Sequence, residues 1–313
     1  MQIFYEPADR LAQWQGRDDV LGVVCYGATP ERWPWSGVAP RVSVPLTAPQ
    51  ADVCEILTAG RVQGGVRDGV RYAHDGDWLF AAIEVADTST LQADSAAAYG
   101  RVLRLCREQG YPYLIRAWQY FPEIHCVEEG LERYRQFNRG RHEAFRSYLA
   151  QGAPRPAATC IGSARGALTI HVLARALPGV PIENPRQLPA YCYPETYGPR
   201  PPDFARAMAV DRPGQGRLLW ISGTAAIVGH ASQAPGDLAA QTRETFTNLA
   251  TVLAAAEMGP EPRVLATKIY MRAPAPLGAL PPPWDQSAIM ILQGNICRLE
   301  LTVEIEAVVQ ARC

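Results

Sequence analysis

The 313-residue chain is 48% apolar and 19% charged, with a formal net charge of −1 at pH 7. This composition suits a soluble globular protein of two ordinary domains or one large one. It gives no electrostatic case for nucleic acid or an anionic membrane as partner, and with neither a secretory signal nor an apolar run of about 20 residues a cytoplasmic location is expected.

Residues 1–70 carry no usable motif. "DWLFAAIEVAD" (77–87) predicts a strand, "SAAAYGRVLRLCREQG" (95–110) a helix with Ser95 near its cap, and "YPYLIRAWQYFPEI" (111–124) a strand ending in aromatic residues. A helical bridge is expected over 125–160, where Arg133, Arg135, Arg139 and Arg141 read by themselves as a basic, mostly solvated helix face. "NPRQLPAYCYPETYGPRPPDFARA" (184–207) is dense in proline, tyrosine and arginine and has no hydrophobic period. Proline removes backbone donors, so this stretch is neither a core helix nor a central strand, and a long rigid loop is expected.

The second half repeats the order. "GRLLWISGTAAIVGH" (216–230) predicts two strands around a Ser-Gly-Thr turn. A helix follows over 236–258, with Asp237 at its N-cap and Leu238, Thr242, Phe246, Leu249 and Leu253 along one face. "RVLATKIYMRAP" (263–274) and "AIMILQG" (288–294) are strands. "CRLELTVEIEAVV" (297–309) alternates strictly, with Leu299, Leu301, Val303 and Ile305 on one face and Glu300, Thr302, Glu304 and Glu306 on the other. Strand–helix–strand in both halves argues for an α+β fold of two similar units, each a mixed sheet with helices on one face. The units are placed at 1–150, with the helical bridge, and 151–313, with the long loop.

Cofactor signals are missing. No GxGxxG follows a strand, no Walker-type loop occurs, and the five histidines do not meet cysteines at zinc-ligand spacing, so neither nucleotide cofactor nor metal is expected. The eight cysteines include no CxxC pair and are expected as reduced thiols. On the residues alone, glutamates alternating with aliphatics read as a solvated sheet face, a free cysteine as a small core residue, and the loop tyrosines as packing between the units.

The stretch 221–253, "ISGTAAIVGHASQAPGDLAAQTRETFTNLATVL", resembles the RidA-like (YjgF-like) family. "LERYRQFNRGR" (131–141), the long loop, "SGTAAIVGH" (222–230) and "GNICRLELTVEIE" (294–306), in that order, resemble the narrower chorismatase family. The likeness spans roughly residues 70–310. Those enzymes split chorismate into pyruvate and either a dihydroxycyclohexadiene carboxylate or a hydroxybenzoate. One departure is visible: the segment between Tyr270 and Ile289 is short and proline-rich, which puts a helix of the second unit in question.

Splitting an enolpyruvyl ether needs a proton delivered to its methylene carbon by an acid that is still protonated near neutral pH. A carboxylic acid raised by burial fits that role, and arginines and tyrosines fit the substrate's two carboxylates. The resemblance implies Glu304 as the catalytic acid and Cys297 as the residue that directs the outcome toward 3-hydroxybenzoate, with 4-hydroxybenzoate as a further product. It implies Tyr134, Arg141, Tyr193, Arg206, Gly223 and Ala225 as substrate-binding; Arg272, just after a strand and ahead of prolines, is a further candidate carboxylate clamp from its position in the sequence. Gln187, Tyr191 and Tyr197 are second choices, Glu306 an ordinary surface carboxylate, and His142 and His230 structural. The alternatives are simple hydrolysis to the dihydroxycyclohexadiene carboxylate, or a RidA-like binder of small carboxylates or imine deaminase. The expected partner is the small molecule chorismate, with no nucleic acid and no membrane, on a monomer or a trimer.

Overall fold

In a computed structural model the structure describes residues 1–49, 51–86, 90–259, 261–276, 278 and 280–311. Three sheets organise the chain. The N-terminal sheet comprises β1 (Gln2–Pro7), β2 (Val20–Tyr26), β3 (Arg41–Val44) and β4 (Val53–Thr58) in the order β1-β4-β2-β3. Every residue of β2 is buried, so it lacks the polar–apolar alternation that marks a strand in sequence.

The middle sheet is built from β5 (Gln63–Arg67), β6 (Val70–His74), β7 (Trp78–Val85), helix α1 (Leu91–Glu108), β8 (Tyr113–Pro122), a small hairpin of β9 (Val127–Glu128) and β10 (Leu131–Glu132), helix α2 (Arg133–Tyr148), β11 (Ala157–Ser163) and β12 (Leu168–Arg175). Its order is β11-β8-β12-β7-β6-β5, and β8 and β11 are parallel partners with α2 as their crossover. The sheet therefore takes strands from both sides of residue 150, and a boundary placed there divides it. Helix α1 begins before the expected Ser95: Thr90 is the cap, its Oγ1 accepting from Ala93 N at 3.2 Å, and Ser95 is buried. Gly140 lets α2 lie close on α1, since a β-carbon there would stand 2.1 Å from Gln92 O.

The C-terminal sheet holds β13 (Val180–Ile182), β14 (Ala207–Arg212) and β15 (Gly216–Thr224); a small hairpin of β16 (Ile227–Val228) and β17 (Ala231–Ser232) follows, then helix α3 (Leu238–Ala255), β18 (Arg263–Met271), β19 (Ala288–Gln293) and β20 (Val303–Gln310). The order is β13-β14-β15-β20-β18-β19, with β18 and β19 parallel. Asp237 caps α3, its Oδ1 accepting from Ala240 N at 2.9 Å. Where α2 makes the crossover in the middle sheet, only a single 3-10 turn at Trp284–Gln286 is assigned among the described residues between β18 and β19; Trp284 is buried against Phe246 of α3. The two units are thus mixed sheets with helices on one outer face, as expected, with two helices on the first and one on the second.

Two sequence expectations shift here. Ser-Gly-Thr is not a turn but the irregular end of β15, where the register with β20 slips between Ile221 and Thr224. The last strand starts at Val303, not Cys297: Leu299 is exposed, and residues 294–302 form a loop held by Gln241, whose Oε1 accepts from Thr302 N at 2.7 Å.

One apolar core takes the inner faces of all three sheets, with Tyr26, Trp118, Trp220 and Leu292 among its members, while separate cores lie under α1 and α2 and under α3. Inside the shared core sits a charged cluster. Lys268 Nζ lies 2.7 Å from Glu55 Oε2 and 2.9 Å from Glu306 Oε1, and Arg116 Nη2 lies 2.8 Å from Glu306 Oε2. Glu306 is therefore not a surface carboxylate. Alternation along β20 put it on the polar face correctly, but that face turns inward toward the other sheets. Among the described residues no helix is long and apolar enough to cross a membrane.

Candidate active site

The edge of the middle sheet meets the C-terminal sheet at β11. Ala158 N donates to Ser222 Oγ and Gly223 N to Thr159 Oγ1, both at 2.9 Å. Gly223 N is free to do so because it sits in the register slip that takes it off the β20 ladder. Beside this seam opens a cavity of about 280 Å³. Its wall is contributed by α2 (Tyr134, Arg141), the loop 184–207 (Tyr193, Tyr197, Arg206), the end of β15 (Gly223, then Ala225), the loop 294–302 (Cys297, Arg298) and β20 (Glu304). Both units supply side chains, so one chain furnishes the whole of this wall.

Glu304 is 5% exposed, and its pKa is raised to about 8, first by burial and then by the charge of Glu306, against the opposing pull of Arg116 and Arg206. Glu306, two residues on, behaves oppositely. Burial alone would raise it, but Lys268 and Arg116, with bonds from Thr159 and Trp118, bring it down to about 2. Such a split between neighbouring carboxyls leaves one as an acid and one as a fixed charge at neutral pH. Gly223 makes room for the acid, because a β-carbon there would stand 1.9 Å from Glu304 Oε1.

Two buried guanidiniums line the same cavity as this acid. Arg141 donates to Asn138 Oδ1 at 2.9 Å and Gln119 Oε1 at 3.4 Å. Arg206 donates to Leu188 O at 2.9 Å and to the Tyr193 hydroxyl at 2.8 Å. Each keeps a buried Nε without a partner, which leaves donor capacity for an anionic ligand. The Tyr134 hydroxyl is raised well above its ordinary pKa by burial and then by Cys297. The Cys297 thiol is pushed up to about 12, by burial and then by Glu304, so it stays a neutral thiol.

The structure thus brings Glu304, Cys297, Tyr134, Arg141, Tyr193, Arg206, Gly223 and Ala225 around one cavity. Arg272 is not in the wall. Its guanidinium donates to Leu301 O at 3.0 Å and Arg298 O at 2.8 Å, fastening the loop that carries Cys297. Of the second choices only Tyr197 lines the cavity; Gln187 donates to Ile227 O at 3.0 Å, and Tyr191 lies under Arg155. His142 pairs with Asp203 at 2.9 Å and His230 with the Tyr197 hydroxyl at 3.2 Å, both outside the wall. Arg133 departs from the solvated-face reading, being 2% exposed and paired with Glu128 at 2.7 Å.

Sequence reasoning passed over Gln119 and Arg298. Gln119 had a signal, a lone amide in the aromatic run "AWQYF" of a buried strand. Arg298 lay inside a quoted motif but next to a more conspicuous cysteine. Among the described residues, ligand atoms of Glu123, Cys126 and Glu128 lie within 4.8 Å of one another beside the β9 hairpin, away from the cavity.

A family model described as "Chorismatase FkbO/Hyg5-like, N-terminal" matches residues 55–174. The chain is 36% identical to a 3-hydroxybenzoate synthase of Streptomyces hygroscopicus, over 93% of this chain and 92% of that one. It is 34% identical to a chorismatase of the same organism, over 94% and 90%. A crystal structure of a chorismatase superposes with a TM-score of 0.85 at 30% identity, covering 98% of this chain and 97% of that one.

Proposed function

The chain belongs to the chorismatase family, and on that premise we propose that it converts chorismate to pyruvate and 3-hydroxybenzoate. The observation that carries the reading is Glu304, a buried carboxyl whose pKa of about 8 keeps it protonated at neutral pH beside unpaired arginine donors.

Glu304 gives its proton to the terminal methylene of the enolpyruvyl group. The adjacent carbon becomes an oxocarbenium centre, and pyruvate leaves as the ring–pyruvyl linkage is broken. Water that captures the cation is balanced by the ring hydroxyl lost as water on aromatisation, so pyruvate and the hydroxybenzoate together hold all the atoms of chorismate. The Glu304 carboxylate can take up the ring proton lost in that step, which restores the acid. Arg141 and Arg206, with Tyr134 and Tyr193, hold the dianion, and the Arg206–Tyr193 bond is set before the ligand arrives. Cys297, as a neutral thiol in the cavity wall, can donate to the ring hydroxyl as it leaves and so favours the aromatic product over the diol.

The 36% identity to a 3-hydroxybenzoate synthase over nearly the whole chain favours this product over the diol. The test is incubation of purified protein with chorismate and chromatographic identification of products, beside Glu304→Gln. Pyruvate with 3-hydroxybenzoate, lost by about 1,000-fold or more in the variant, is the expected result. Unchanged chorismate would overturn the activity, and a non-aromatic diol would overturn the product.

A further inference from the structure

We propose that Arg298 binds the substrate directly, donating its terminal Nη2 to one of the two carboxylates of chorismate; the proposal deepens the functional reading above and rests on it. Arg298 follows Cys297 in the loop 294–302 and lines the cavity. Its Nη1 donates to His230 O at 2.8 Å and to Ser232 Oγ at 3.1 Å. The guanidinium carbon lies 4.0 Å from the Tyr197 ring centre and 5.2 Å from that of Tyr193. Nη2 is buried and has no hydrogen-bond partner.

These contacts divide the guanidinium into two jobs. Nη1 and the ring contacts fix its plane and could serve a purely structural tether. They do nothing for Nη2, and a buried donor left without an acceptor destabilises the free protein. A carboxylate in the cavity would supply the missing acceptor at a group already held in position, which is the condition for a strong, geometrically selective charge-assisted bond. Arg141 has both terminal nitrogens engaged and offers only an inner Nε, whereas Arg298, like Arg206, keeps a terminal nitrogen outside its bonds to the protein. The cavity wall holds Arg135, Arg141, Arg206 and Arg298 for the two carboxylates of the ligand.

Steady-state kinetics with chorismate and with each of its two monomethyl esters separates direct binding from tethering. Arg298→Gln should raise KM for chorismate by about tenfold or more while kcat changes by less than about threefold. For the ester that blocks the carboxylate in question, variant and wild type should have the same KM; for the other ester the rise should persist. Arg298→Lys, which keeps the charge but not the planar fork, should fall between, and it carries the test if the glutamine variant does not fold. An unchanged KM, or a rise of equal size for chorismate and both esters, would overturn the proposal and leave Arg298 a tether. Wild-type protein that neither consumes chorismate nor is thermally stabilised by it would overturn the functional reading itself, and this proposal with it.

Discussion

Glu304 and Glu306 occupy alternate positions on one face of β20, and their pKa values are driven apart to about 8 and about 2. The difference lies in what each carboxyl meets. Glu306 accepts from Trp118 Nε1 and Arg116 Nη2 at 2.8 Å and from the Tyr270 hydroxyl at 3.2 Å, with Lys268 beside it. Glu304 meets burial, and Glu306 itself.

The pH dependence follows from this pair. The working form of Glu304 is the acid, so kcat/KM is expected to be flat at neutral pH and to fall as the pH rises through about 8. Glu306→Gln removes the second-largest cause of the upward shift, and the alkaline limb should then move to lower pH. A pH–rate profile of both proteins checks this; a limb that stays in place would separate Glu304 from Glu306.

Gly223→Ala should lower activity by displacing the acid. The added methyl would stand 1.9 Å from Glu304 Oε1, and displacing a catalytic group by about 1 Å costs on the order of 100-fold in rate. Overpacking at this site is expected to lower stability by about 1–3 kcal/mol. Activity and denaturant melts measured together test the pair of effects, and full activity would show that Glu304 has room to retreat.

Cys297→Ala is expected to move the product ratio toward the dihydroxycyclohexadiene carboxylate while chorismate consumption stays within about tenfold, since a thiol with a pKa pushed up to about 12 is neither the acid nor a nucleophile here. Chromatography of the products decides it. An unchanged ratio would remove the cysteine from product control.

Lys268→Met strands Glu55 in the shared core and leaves Glu306 with Arg116 as its remaining cation. Breaking a buried ion pair by removing one partner is expected to destabilise by about 3–5 kcal/mol, measurable by urea unfolding. Glu306 has a folded pKa below its unfolded value, so its ionised form stabilises the fold above the ordinary carboxylate range, and that contribution disappears as the pH falls through about 2.

Periodicity read the elements well where one face is apolar. The order β7–α1–β8 and the capped helix α3 follow from it directly, and the proline-rich stretch does form a loop at the cavity. What alternation cannot report is the environment of the polar face, which is why Glu306 looked solvated and lies in the core. Nor can it tell where a strand stops: Leu299 and Glu300 keep the alternation in a loop pinned by Gln241 and Arg272. The N-terminal sheet escaped notice because β2 is buried throughout and β3 has only four residues. Arg272 was legible as a cation near the site, yet whether a guanidinium turns to a ligand or to backbone carbonyls depends on contacts made at residues far along the chain.

The charged cluster in the core ties these threads to the opening of the chain. Lys268 shares its charge between Glu306 and Glu55, and Glu55 belongs to the sheet that contributes nothing to the cavity wall. A protein trimmed to begin at β5 would keep every residue proposed to touch substrate, yet its lysine would answer to one carboxylate instead of two. The start of the chain, remote from the cavity, thus sets how Lys268 divides its charge, and it reaches Glu304 only by way of Glu306.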